Sequence, residues 1–153
     1  DTYEAYKLGA SIVHLHARDI HGKNTNNKEV YASIIGMIRR KCPDIVICVS
    51  LTGRIVNTFD KRSSALDLKG RLKPDMGSLT LSSLNFSNSE STNTPNMIKK
   101  LATRMKDRQI KPELEVFDLG MVNAAKYLIR KKLITAPYYF NILLGNLYTA
   151  QDP

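Results

Sequence analysis

The stretch "GASIVHLHARDIHG", residues 9–22, is a short apolar run with two histidines one residue apart, followed by a charged turn. Side chains alternate across a β-strand, so a strand over 11–17 puts Ile12, His14 and His16 on one face. Val13 and Leu15 then share the other, apolar enough to pack against helices. Residues two apart on a strand lie about 6.5–7 Å apart at Cα. Two imidazoles reaching forward from that spacing can meet one divalent ion, with metal–nitrogen distances of about 2.0–2.1 Å. Hydrogen-bonded core histidines are the structural alternative. His21, beyond the strand, reads as a surface residue.

Outward from this strand, the chain alternates short apolar runs with longer amphipathic ones. "NKEVYASIIGMIRRKC" (27–42) has Val30, Ile34, Met37 and Ile38 at helical spacing. Pro43 and Asp44 break it, and "DIVICVS" (44–50) is a β-branched strand. A short helix over 60–70 ends at Gly70, and "PDMGSLTLS" (74–82) is the next strand. "SNSESTN" (87–93) reads as a polar loop, leading to Pro95 at the start of a helix to about residue 109. "PELEVFD" (112–118) is a strand, "GMVNAAKYLIRKK" (120–132) a helix and "PYYFNILLG" (137–145) a fifth strand. Residues 1–8 resemble the tail of a preceding helix.

Regular βα repeats of this kind imply a parallel sheet with right-handed crossovers. An open doubly wound sheet and part of a (β/α)8 barrel both fit. The chain lacks the G-x-G-x-x-G fingerprint and the phosphate-binding P-loop. A full barrel needs about 250 residues. The expectation is therefore a parallel (β/α)8 TIM barrel of which residues 1–153 form the central part, about five strands and their helices, cut at both ends. The opening "DTYEAYKLGA" has no basic head, apolar signal core or Met, so residue 1 is not expected to be a natural start.

With 42% hydrophobic and 24% charged residues, the chain suits a soluble globular domain. No apolar run approaches the roughly 18 residues of a membrane span. Two cysteines, Cys42 and Cys48, suggest free thiols and a reducing, cytoplasmic setting. Much of the net charge of +9 lies in 99–108 and 126–132, where it should coat the solvent faces of helices. No motif that reads nucleic acid accompanies it.

The strand parity converges on one interior. Val46, Cys48 and Ser50 share a face; so do Met76, Ser78 and Thr80, and Glu113, Glu115 and Phe117. A barrel core is normally filled by branched apolar groups, so polar inward residues suggest a site. Buried carboxylates need partners or become protonated. Glu113 and Glu115 therefore read as substrate-binding or acid–base groups, or as partners of an inward Lys or Arg. Ser50, followed by "LTG", offers a hydroxyl and backbone N–H groups suited to an anion.

Taken together, "GASIVHLHARD", "CPDIVICVSLTG", "LKPDMGSLTLSSLNF", "NTPNMI", "KPELEVFDLGMV" and "LITAPYYFNILLG" resemble the β-keto acid cleavage enzymes, whose founding activity is 3-keto-5-aminohexanoate cleavage. The resemblance runs through nearly all of the chain. It implies a zinc-dependent (β/α)8 barrel, an acyltransferase that converts a β-keto acid and acetyl-CoA into acetoacetate and a new CoA ester. By similarity, His14 and His16 are metal ligands for Zn2+, with a third ligand, a glutamate, on a later strand. The family's catalytic Arg–Asp pair also lies beyond the C-terminus, so no catalytic residue is expected in these 153 residues, and the isolated chain is expected to be inactive. Another acidic substrate-binding residue would precede residue 1. Ser50, Gly53 and Ser78 match positions that hold the substrate carboxylate, Ser78 standing where the family has a threonine. One of Glu113 and Glu115 matches a glutamate lining the pocket, Glu113 being the first choice. Arg54 stands where a second glycine is common, and "IHG" (20–22) where an acidic residue precedes the glycine. The implied partners are the keto acid and acetyl-CoA, with no nucleic acid or membrane, and the full-length protein is expected to be a homo-oligomer. A metal-dependent hydrolase on the same barrel and a non-catalytic basic binding module are the rival readings.

Overall fold

A computed structural model describes residues 1–145. Helix α1 (Thr2–Lys7) precedes strand β1 (Ile12–Leu15), helix α2 (Lys28–Lys41) and strand β2 (Val46–Val49). Helix α3 (Phe59–Ser63), strand β3 (Met76–Thr80) and a hairpin of β4 (Leu84–Phe86) and β5 (Ser89–Ser91) follow. Helix α4 (Pro95–Asp107), strand β6 (Lys111–Val116), helix α5 (Leu119–Arg130) and strand β7 (Tyr139–Ile142) complete the order. Five strands form one all-parallel sheet, β1-β2-β3-β6-β7, as the βα periodicity predicts.

The helices form where local signals ask for them. Asn27 caps α2 by accepting from the backbone N–H groups of Glu29 and Val30, at 2.7 and 3.1 Å. Thr94 caps α4, with Pro95 at its first position, where a missing N–H has no cost. Asp118 caps α5 through the Met121 N–H at 2.9 Å.

The two faces of the sheet differ as predicted. Leu15, Ile47, Val49, Leu79, Leu114 and Val116 face outward and join one apolar cluster with Ile35, Leu101, Met105, Met121 and Leu128 of the helices. Removing such side chains from water is the main stabilising term, about 25 cal/mol per Å2 of apolar area. A Cβ on Gly77 of β3 would sit 3.0 Å from the Met105 sulfur and 3.2 Å from Leu66, so the glycine lets helix and sheet approach closely. Helices on one face and polar residues on the other make this a curled half-barrel sheet.

Three local expectations are corrected. Met37 is 50% exposed, because α2 turns Tyr31, Ile35 and Ile38 to the core and leaves Met37 on the flank of that face. The helix expected over 60–70 is the five-residue α3 followed by 3-10 turns at Ser64–Asp67 and Gly70–Leu72. Ser64 there donates its hydroxyl to the Asn26 carbonyl at 2.6 Å, tying the segment to the β1–α2 loop. The loop expected over 87–93 instead contains β5, paired antiparallel with β4 around a two-residue turn at Ser87 and Asn88. The cationic residues Lys100, Lys106, Lys126 and Arg130 are exposed on α4 and α5, the arrangement expected of a solvated face. Among the described residues, no helix is long and apolar enough to cross a membrane.

Candidate functional site

A cavity of about 240 Å3 opens on the polar face of the sheet, lined by His14, His16, Ser50, Ser78, Thr80, Glu115 and Asn141. The loop after β2 adds Thr52 and Arg54, and the hairpin adds Leu84, Phe86 and Ser91. Strand parity and register bring these together. Ser78 pairs in register with Glu113, Thr80 with Glu115, and Glu115 with Asn141.

The histidine rings lie on the same side of their strand, stacked with centroids 5.0 Å apart and planes 7° from parallel. His14 Nδ1 lies 2.7 Å from Glu113 Oε2. His14 Nε2 is buried and has no hydrogen-bond partner. A buried polar atom left in that state costs about 1–3 kcal/mol. His16, just past the end of β1, is exposed.

Glu113 is 4% exposed and collects three donors: His14 Nδ1, the Cys48 thiol at 3.3 Å and Asn141 Nδ2 at 3.0 Å. Burial alone would raise its pKa, but these bonds and the His14 charge outweigh it and hold the carboxyl below its ordinary value. For His14 the balance is the same in mirror image. Burial lowers its pKa, and the bond and charge of Glu113, with the charge of Glu115, raise it overall. Burial, then the Glu113 charge, pushes the Cys48 thiol far up, so it stays protonated. His16 is pushed down to about 4 by desolvation and by the charges of His14, Arg54 and Arg18, so it is neutral at pH 7. Glu115 accepts from the Thr80 hydroxyl, and burial raises its pKa.

The pair has a pH signature in the metal-free protein. His14, raised above its ordinary 6.5, adds stability below that value and loses it as pH rises through its folded pKa. Glu113, depressed below its ordinary 4.5, adds stability above that value and loses it as pH falls through its folded pKa. The stability lost in Glu113→Gln, read from melting temperature against pH, is therefore expected to be largest between about pH 4.5 and 6.5. A difference that grows steadily above pH 8 would contradict the pairing.

The donor set can be tested for a metal. His14, Cys48 and Glu113 offer ligand atoms within 4.8 Å of one another. Glu113 is already committed to three donors and the thiol holds its proton, so these three act as a hydrogen-bonded network. The free donors are His14 Nε2, with no partner, and the neutral His16 ring stacked on His14. A histidine that gives one N–H to a carboxylate and leaves the other nitrogen bare is how proteins orient a metal ligand.

Of the other predicted residues, Ser50 and Ser78 are buried and line the cavity. The Ser78 hydroxyl accepts from the Leu51 N–H at 3.0 Å and keeps its own proton to donate. Gly53 does not line the cavity. A Cβ there would lie 2.5 Å from the Thr92 carbonyl oxygen and 2.9 Å from Arg62, so the glycine lets the loop press against the segment that follows the hairpin. Glu115 lines the cavity wall, whereas Glu113 lies beneath it, bonded to His14. Sequence reasoning did not single out Asn141, the hairpin or Arg62. A lone Asn in the apolar run "YYFNILLG" was the available signal for the first.

The family model for beta-keto acid cleavage enzymes matches residues 1–153. The chain belongs to the β-keto acid cleavage enzyme family. It is 39% identical over 142 residues, 92% of its length, to a 3-keto-5-aminohexanoate cleavage enzyme of Fusobacterium nucleatum, covering 51% of that protein. It is 33% identical over 144 residues, 94% of its length, to a 3-oxoadipate:acetyl-CoA acetyltransferase of Cupriavidus necator, covering 49% of that protein. The chain thus spans about half the length of these curated relatives. The apo structure of ObcA superposes on 99% of the chain with a TM-score of 0.83 at 22% identity, the match covering 36% of ObcA. That likeness gives the fold, the parallel half-barrel sheet of a TIM barrel.

Proposed function

We propose that this chain carries the metal-holding and carboxylate-binding part of a β-keto acid cleavage site. The reaction takes a β-keto acid and acetyl-CoA. The acyl group of the keto acid passes to CoA, and the acetyl group takes its place on the CH2–COO⁻ unit, giving acetoacetate. The observation that carries the reading is the bare, buried Nε2 of His14 beside a cavity lined by Ser50, Ser78 and Thr80.

His14 and His16 would hold zinc, which supplies a Lewis acid to polarise the keto oxygen. Glu113 fixes His14 with Nδ1–H donating, which turns Nε2 outward as a lone pair. The Ser50 and Ser78 hydroxyls orient the substrate carboxylate, and Gly53 keeps the loop after β2 close to the segment that follows the hairpin. Glu115 presents its carboxyl to the cavity, with burial holding its pKa above the ordinary value. Residues 1–153 are proposed as the central part of one (β/α)8 domain. β1 and β7 pair on one side only among the described residues, and a homo-oligomer and a cytoplasmic setting go with this reading. The isolated 153-residue chain is proposed to be inactive.

The test is acyl transfer by the intact protein that contains this chain. With a 3-oxo acid and acetyl-CoA, acetoacetate should appear in step with the new CoA ester and only when acetyl-CoA is present. Release of products without acetyl-CoA would instead favour a metal-dependent hydrolase.

A further inference from the structure

Arg54 stands at the rim of the cavity, in the loop after β2. Its side chain is exposed but not loose. Both its backbone N–H and its Nε donate to Thr52 Oγ1 at 3.3 Å. Its guanidinium carbon lies 4.6 Å from the centroid of Phe86 in the hairpin, and Phe86 is braced edge-on by Phe117, 6.3 Å away at 87°. Cation–π stacking of this kind fixes a guanidinium plane while leaving its terminal N–H groups free to bind.

Arg54 belongs to none of the ion pairs among the described residues. Glu113 is taken up by His14, Cys48 and Asn141. Glu115 is bonded to Thr80; burial raises its pKa, partly offset by that bond and by the charges of His14 and Arg54, and it forms no ion pair with Arg54 among the described residues. The cavity therefore has two places for an anion: the serine hydroxyls beside the histidines, and a preorganised guanidinium at its mouth.

We propose that Arg54 is a specificity-determining residue that selects β-keto acids carrying a second carboxylate at the end remote from the keto group. Resting on the function proposed above, this narrows the substrate class to 3-oxo dicarboxylates and disfavours a cationic or apolar tail. A guanidinium–carboxylate pair is charge-assisted and geometrically specific, and an apolar tail would leave the Arg54 donors unanswered. A phosphate of CoA shares the same anionic chemistry, and the experiment separates the two.

The probes are 3-oxoadipate and 3-oxohexanoate, which share a six-carbon chain and differ in the terminal carboxylate. Calorimetric binding to the zinc-loaded intact protein, without acetyl-CoA, should show 3-oxoadipate bound about tenfold or more tighter. In Arg54→Met that ratio should fall to within about twofold of unity. Arg54→Lys, which keeps the charge but not the fork, should retain an intermediate preference. Melting temperature and metal content establish that each variant is folded and loaded. An unchanged ratio in Arg54→Met overturns the proposal, as does a wild type that does not favour the dicarboxylate. A loss of affinity for CoA alone, with the keto acid ratio intact, assigns Arg54 to CoA and also overturns it. Failure of both keto acids to bind the wild type at all would sink the underlying functional reading as well.

Discussion

Replacing His14 by alanine is expected to abolish stoichiometric metal retention by the intact protein. The loss follows from the arrangement around the ring. Nδ1 is anchored 2.7 Å from a buried carboxylate, and Nε2 is the unpartnered nitrogen beside the cavity. Alanine removes the proposed ligand and leaves Glu113 with only the weak Cys48 donor and the Asn141 amide. Glu113→Gln keeps the ring but weakens its orientation, and metal affinity should fall about 10–100-fold rather than vanish. Binding should also release a proton as pH falls toward the raised pKa of His14, because the ion and the proton compete for one ring nitrogen. Metal analysis by mass spectrometry, with calorimetry in two buffers of different ionisation enthalpy, checks both. Retention of one zinc per chain in His14→Ala would end the metal-site reading.

The second large effect is expected at Arg62, on stability. Arg62 is 3% exposed and forms no ion pair among the described residues. It donates instead to the Leu51 carbonyl at 2.9 Å, the Thr92 carbonyl at 3.0 Å, Asn57 Oδ1 at 3.1 Å and Asn93 Oδ1 at 2.6 Å. Burial lowers its pKa to about 10, still well above neutrality, so the charge persists. These bonds join the loop after β2, which carries Thr52 and Arg54, to the segment following the hairpin. Arg62→Met keeps the length and removes every donor. Two acceptors, Leu51 O and Asn93 Oδ1, are then left buried at about 1–3 kcal/mol each, for a total of about 2–6 kcal/mol. For a chain of this size that lowers the melting temperature by about 5–20 °C. Arg62→Lys should recover only part of it, because one ammonium cannot reach four acceptors on separate segments. A change under about 1 kcal/mol in Arg62→Met would show that solvent satisfies the loop equally well.

Legibility differed from residue to residue. The histidine pair could be read because a strand has a period of two, and parity alone places His14 and His16 on one side. The same rule put Ser50, Ser78, Glu113 and Glu115 inside. Parity could not rank the two glutamates. Both point inward, and only the position of His14 across the sheet draws Glu113 into a hydrogen-bonded network while Glu115 meets the cavity. The hairpin was hidden because β5 is wholly polar, "SES", and its β character comes from pairing with Leu84–Phe86 rather than from its own composition. Arg62 was hidden because a single arginine in a charged helix is ordinarily solvated. Nothing in "FDKRS" says that its guanidinium will be enclosed by two loops.

By itself, the sequence determined the βα alternation, the apolar outer face and the polar inner face, because each follows from local periodicity and from which side chains tolerate burial. Only the tertiary structure decided which polar groups meet: Glu113 under His14, Thr80 against Glu115, Arg54 stacked on Phe86, Arg62 between two loops. Those partnerships join residues about 30 to 100 positions apart. They are fixed by strand register and loop packing, which no short window of sequence contains.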